Sequence, residues 1–264
     1  MWTAEASASP WDDAVKWGGS QVSARDPARQ DAQPGFVLHS FPFRETSLVV
    51  EAFTRNHGRI SLVARGARRP RSALRGVLSS FQPLLLSWSG KSELRTLIRA
   101  EWEGAYVVLG GETLMCGFYL NELLLKLLAR DDPHERLYDA YQGTLMALSE
   151  GPERESILRR FELRLLEEMG YAVILDQEVD SGTSIVADQR YVYQLERGPV
   201  RAGNSKFDGG VELSGKTLLD MQSGIYDDAM TQQQSKVLMR TLIDHYLGKQ
   251  VLVTRRMLRE LQGL

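Results

Sequence analysis

Residues 36–75 read FVLHSFPFRETSLVVEAFTRNHGRISLVARGARRPRSALR, and the fold of the first half of the chain follows from how that stretch alternates. FVLHSF reads as a first strand and SLVVEAFT, Ser47–Thr54, as a second. Asn56-His57-Gly58 supplies the residues that tolerate positive φ in a tight hairpin. In RISLVARG, Ile60, Leu62 and Ala64 share one face while Arg59, Ser61, Val63 and Arg65 share the other, which is the period of a half-buried strand. Downstream, FQPLLLSW and ELRTLIRAEW give two more strands. Five short strands within about 65 residues point to a small closed barrel of the five-stranded OB type, whose loops and one face commonly bind single strands.

Charge is unevenly spread along the chain. The formal net charge is −2, yet residues 36–100 carry a net +8 and residues 101–264 a net −8. From Ala52 to Ser92 there is no acidic residue at all. The densest part, RGARRPRSALR over Arg65–Arg75, contains Gly66 and Pro70 and borders Gly76, so it reads as a loop. A polyanion suits such a loop, because each arginine set on a phosphate releases a condensed counterion. The expected nucleic-acid contacts are Arg55, Arg59, Arg65, Arg68, Arg69, Arg71, Arg75, Lys91 and Arg95.

The remaining chain changes period. Residues 1–34 are rich in Ala, Ser, Asp and Gln without apolar periodicity, and read as a disordered tail carrying Trp2, Trp11 and Trp17. From Glu112 the pattern is helical. ETLMCGFYLNELLLKLLAR is apolar on nearly every side and reads as a buried helix. Two helices follow, His134–Glu150 and Glu153–Met169. Residues 175–213 read as an irregular excursion with one strand at Tyr191–Leu195. Helix returns at Thr217–Met221, Thr231–Leu247 and Arg255–Leu261. The expected fold class is α+β: a tail over 1–34, an OB barrel over 35–105 and a mainly helical domain over 106–264.

Chemistry-bearing motifs are scarce. Cys116 is the one cysteine, which excludes a disulfide framework or a cysteine-rich zinc site. No ligand spacing relates His39, His57, His134 and His245, and no catalytic arrangement suggests itself. Asp131-Asp132 and Asp227-Asp228 sit at helix boundaries, as capping acids do. Residues 210–217, GVELSGKT, match the phosphate-binding P-loop pattern and nominate Lys216 for nucleotide hydrolysis. The context argues against it: KFDG before the motif is no apolar strand, and Glu212 would place a carboxylate in the phosphate cradle. Ser214 instead reads as the cap of a helix starting near Gly215. No cofactor, metal or membrane span is expected. A reducing cytoplasm suits the lone cysteine.

Taken in order, FVLHSFPFRETSLVVEAFT, GRISLVARGARRPRSALRG, FQPLLL, YLNELL and LRRFELRLLEEMGY closely resemble the RecO recombination-mediator family, from Phe36 to about Tyr171. The resemblance implies an OB domain and a helical domain, binding of single- and double-stranded DNA, and annealing of complementary strands. It also implies cooperation with RecR in loading RecA on DNA coated with single-strand-binding protein, in association with the nucleoid. Some members carry a four-cysteine zinc site, a pattern this chain lacks. Arg159, Arg160 and Phe161 match the motif linked to the acidic tail of single-strand-binding protein. On the residues alone, an RNA-binding barrel without repair partners stays open beside the P-loop hydrolase.

Overall fold

The computed structural model describes residues 28–104, 106–171, 173–203 and 209–262. Among them β1 (Gln30–Phe43), β2 (Ser47–Thr54), β3 (Gly58–Ala64), β4 (Leu84–Ser89) and β5 (Leu94–Trp102) form a closed barrel in the order β1-β2-β3-β5-β4. A one-turn helix, α1 (Leu74–Val77), interrupts the passage from β3 to β4. Every pairing is antiparallel except β3 with β5, the contact that closes the barrel. Val37, Val50, Ala52, Ile60, Leu62, Leu84, Leu86, Trp88 and Leu97 fill its interior. The alternation read in RISLVARG is thus the inside–outside alternation of β3.

β1 begins at Gln30, inside the span 1–34 expected as a tail. Gln30 pairs with Trp88, Gln33 with Leu86 and Pro34 with Leu85, so β1 has already begun. Backbone pairing builds that start, and its register slips between Gln30 and Gln33 with Ala32 at φ 48°. A slipped strand with exposed Asp31 and Ala32 leaves no apolar alternation to read. Trp2, Trp11 and Trp17 lie outside the described residues.

A second irregularity in β1 joins the barrel to the helices. Val37 faces Ala52 but His39 faces Glu51, so Leu38 is an extra residue. Phe36 and Leu38, on the outer face either side of Val37, pack with Phe53 against Tyr138 and Tyr141, and the bulge turns His39 to that outer face as well. Those tyrosines belong to α3 (Glu135–Glu150), which lies between α2 (Glu112–Leu127) and α4 (Arg154–Glu168). As expected, α2 is central: Leu120, Leu123 and Leu124 are wholly buried.

Among the described residues, the excursion expected over 175–213 contains a sheet rather than one strand. β6 (Arg190–Gln194), β7 (Gly198–Arg201) and β8 (Val211–Ser214) form a three-stranded antiparallel sheet in the order β7-β6-β8. Its strands are four or five residues long, too short to establish a period. Tyr191, Tyr193, Val211 and Leu213 pack on α4 and on the later helices α5 (Gly215–Ser223) and α6 (Ala229–Leu247) in a second core. The last helix, α7 (Val253–Gln262), returns to α2.

One buried polar clamp crosses the junction of barrel and helices. Asn121 Nδ2 donates to the Leu38 carbonyl at 2.8 Å, and its Oδ1 accepts from Tyr141 Oη at 2.5 Å. Asn121→Leu keeps the branched four-atom side chain but orphans a carbonyl and a hydroxyl, each worth ~1–3 kcal/mol when buried unpaired. The expected loss of unfolding free energy is about 2–4 kcal/mol, read from the urea midpoint. A variant within about 0.5 kcal/mol of the parent shows that the clamp contributes nothing.

Candidate nucleic-acid interface

Strand pairing divides the nine basic residues between two ends of the barrel. Leu48 pairs with Ala64, so the turn between β1 and β2 lies beside the loop that follows β3. Arg68 N donates to the Thr46 carbonyl at 2.9 Å, and Arg68 Nη1 to the Glu45 carbonyl at 3.1 Å. At the opposite end, Thr54 pairs with Gly58, and the parallel pairing of Ser61 with Leu94 brings the turn between β4 and β5 to that same end.

Arg55, Arg59 and Arg95 stand at this second end, and acids or carbonyls of the helical half already hold them. Arg55 forks Asp139 with Nε and Nη2 at 2.9 and 3.0 Å and reaches Glu135 with Nη1 at 2.9 Å. Arg59 meets Glu51 at 3.1 Å and donates twice to the Leu128 carbonyl. Arg95 pairs with Asp131 at 2.6 Å. Gly58, at φ 64°, lies so close to the segment 128–134 that a Cβ there would meet the Asp132 carbonyl oxygen at 1.9 Å. Lys91 is exposed on the turn between β4 and β5, apart from the arginine loop.

Arg65, Arg68, Arg69, Arg71 and Arg75 are at the first end, all exposed. None of the five meets a carboxylate among the described residues, and only the Arg68 guanidinium has a partner there, the backbone of the β1–β2 turn. Arg44 joins them from that turn, with its guanidinium 5.2 Å from the Phe43 ring centre. Sequence reasoning passed over Arg44, although a turn just before β2 must lie where an antiparallel β3 ends.

A second feature lies on α4. Arg160, Leu163 and Arg164 line a cleft of about 470 Å³ with Val173, Leu175 and Tyr226. Arg160 donates to the Gly224 carbonyl at 3.0 Å and lies 5.9 Å from the Tyr226 ring centre. Arg164 was not singled out in the sequence, although it follows Arg160 by one helical turn.

Arg159 and Phe161 do not line that cleft. Phe161 is 2% exposed in the core between barrel and helices, so it offers a partner nothing to touch. Arg159 does not pair with Glu155, which meets Lys236. It pairs at 2.5 Å with Glu162, a carboxylate 1% exposed that also accepts from Tyr119 Oη at 2.7 Å. Burial pushes the Glu162 carboxyl above the usual range, against the pull of Arg159.

The P-loop match dissolves on inspection. β8 is a short strand paired antiparallel to β6, and Ser214 caps α5 by accepting from Thr217 N at 3.1 Å. Lys216 is held by Asp220 and Asp228. A Cβ at Gly215 would lie 1.9 Å from the Val186 carbonyl oxygen, so the segment packs on backbone and opens no phosphate cradle. Asp228 caps α6, accepting from Thr231 N at 2.9 Å, and the Lys216 ammonium beside it holds its carboxyl far below the usual range. Among the described residues no cluster of His, Cys, Asp or Glu could hold a metal, and no helix is long and apolar enough to cross a membrane. Cys116 is buried, which pushes its thiol upward.

Comparison with known proteins agrees with this architecture. The family described as recombination protein O, N terminal, matches residues 30–106, and its C-terminal counterpart matches residues 110–256. The DNA repair protein RecO of Nitrosospira multiformis is 58% identical over 239 residues, covering 90% of this chain and 99% of that protein. Its counterpart from Aromatoleum aromaticum is 57% identical, covering 89% and 98%. That of Burkholderia pseudomallei is 48% identical, covering 99% of this chain and all of its own length. Barrel, helices, motif order and these likenesses agree, and the chain belongs to the RecO family of DNA repair and recombination proteins.

Proposed function

We propose that this chain is a non-enzymatic recombination mediator. It binds single- and double-stranded DNA, anneals complementary strands and, with RecR, helps load RecA on DNA coated with single-strand-binding protein. The observation that carries the reading is the cluster Arg65, Arg68, Arg69, Arg71 and Arg75, exposed and free of carboxylates among the described residues at the end of the barrel away from the segment 128–134. Arginines on phosphates release counterions and reduce the repulsion between two backbones, so that complementary bases can meet. Lys91 stands at the other end as an outlying contact, whereas Arg55, Arg59 and Arg95 serve as staples between barrel and helices.

Changing Arg68, Arg69 and Arg71 together to Ala should weaken binding to every sequence alike. The slope of log affinity against log salt should fall by up to about three. Arg55→Ala should leave that slope unchanged. An unaltered slope in a folded triple variant overturns the assignment, and tighter binding to RNA of the same sequence decides for the RNA reading.

The cleft beside α4 suits the acidic tail of single-strand-binding protein. Arg160 offers its guanidinium group to a carboxylate, whereas Arg164 is shared with Glu167 and Glu168, and Glu167 and Asp176 also line the cleft; Leu163, Val173 and Leu175 offer apolar surface to an aromatic side chain. Arg160→Ala should weaken a tail peptide by ~1–3 kcal/mol and leave DNA binding unchanged in anisotropy titrations. Arg159→Ala should behave differently, because it strands Glu162 as a buried, unpaired charge. Its cost should appear as about 3–5 kcal/mol of lost stability. Peptide affinity unchanged in Arg160→Ala places the tail elsewhere.

A further inference from the structure

The outward side of β1 carries a ring on alternate residues: His39, Phe41 and Phe43. In the pairing with β2 they face Glu51, Val49 and Ser47, while Ser40 and Pro42 between them face Val50 and Leu48, which pack toward the barrel interior. The helices cover Phe36 and Leu38 but stop short of this stretch, since His39 and Phe41 are both exposed, Phe41 by 42%. Phe43 lies beneath the Arg44 guanidinium. The stripe therefore leads directly to the turn against which Arg68 is bonded, at the arginine-rich end of the barrel.

The spacing of the rings is informative. Stacked bases rise about 3.4 Å per step, so a strand opened to take a ring between two bases, or a base between two rings, needs about twice that. Alternate residues on a β-strand stand about 6.6 Å apart. The His39 and Phe41 rings are 6.2 Å apart and 31° from parallel, too far to stack on each other and close to the gap that admits one flat base. A duplex keeps its base faces stacked inside and shows only phosphates and groove edges. It would gain from the arginines and not from the rings.

We propose that His39 and Phe41 form a stacking site for unpaired nucleobases beside the arginine loop, and that this site gives single strands a contact that duplex cannot make. The inference rests on the nucleic-acid reading above and assigns the part of that face which phosphate contacts cannot supply. By register, the row Phe41, Val49, Val63 and Thr96 continues across β1, β2, β3 and β5, with Val49 buried and Val63 and Thr96 half-buried, so Phe41 is the exposed member of that row.

Anisotropy titrations of an oligothymidine and of a duplex of equal length, each at several salt concentrations, test the site on the full chain. Phe41→Ala should bind the single strand at least about fivefold more weakly, leave duplex affinity within about twofold of the parent and keep the same salt slope, because no phosphate contact is lost. Phe41→Leu, which keeps apolar area without an aromatic face, should be as weak as Phe41→Ala, and Phe41→Tyr should restore binding. His39→Ala should weaken the single strand in the same selective way. Phe41→Ala and Phe41→Leu binding the single strand like the parent, while the triple arginine variant has lost affinity for both nucleic acids, overturns the stacking site and leaves the DNA reading standing. Equal loss for single strand and duplex also overturns it, since a phosphate path explains that result. A parent that binds neither nucleic acid removes the DNA reading and this one with it.

Discussion

Glu51 decides how this molecule is assembled. Its carboxylate is buried on the outside of the barrel, and it accepts from Ser61 Oγ at 2.6 Å, Arg59 at 3.1 Å and Arg130 at 3.0 Å. Arg59 also bonds the Leu128 carbonyl, and Arg130 belongs to the same segment after α2. A buried carboxylate is tolerated only when paired and fully hydrogen-bonded, so the segment 128–134 is drawn onto the end of the barrel where Glu51 lies. Asp131, Glu135 and Asp139 then meet Arg95 and Arg55. One acid on β2 thereby determines which arginines are consumed in assembly and which remain free.

The architecture was largely legible because the barrel strands alternate cleanly and most helices are long enough to show their period. Ile60, Leu62 and Ala64 read as an inner face and are one. The failures have a common cause. β1 begins with a register slip, and β6, β7 and β8 are four or five residues long, so in both places backbone pairing carries the structure without a side-chain period. The P-loop match failed in the opposite way: its letters were right, but close packing on the Val186 carbonyl leaves no room for a phosphate.

The candidate site was half legible. Composition locates the acid-free run from Ala52 to Ser92, but says nothing of acids that arrive from distant sequence. Arg55 meets Asp139, and Arg95 meets Asp131, across sequence separations that no local window spans. Arg44 and Phe41 were missed for a related reason: they join the arginine loop only when β2 is laid antiparallel to β3. Arg159 and Arg160 look equivalent in the sequence LRRFE, yet α4 turns one inward to Glu162 and the other outward to the cleft. Adjacent residues on a helix point about 100° apart, which suffices to give one a structural role and leave the other at a surface.

The charge division also bears on how a strand would approach. A net charge of −2 hides a basic barrel joined to an acidic helical half. Near the junction, acids and arginines neutralise one another, so the positive potential survives at the far end, around Arg65–Arg75. On the nucleic-acid reading proposed above, a phosphate backbone would be repelled by the helices and attracted to that end, and would meet the free arginines first. This orienting field reaches about a Debye length, ~8 Å at physiological ionic strength, so it guides the last part of an encounter and weakens as salt rises. Contacts made by rings carry no charge and do not weaken in that way. Rings beside arginines would therefore hold a single strand under conditions in which arginines alone release a duplex, and annealing needs that difference, since the product must leave a surface that has held its separate strands.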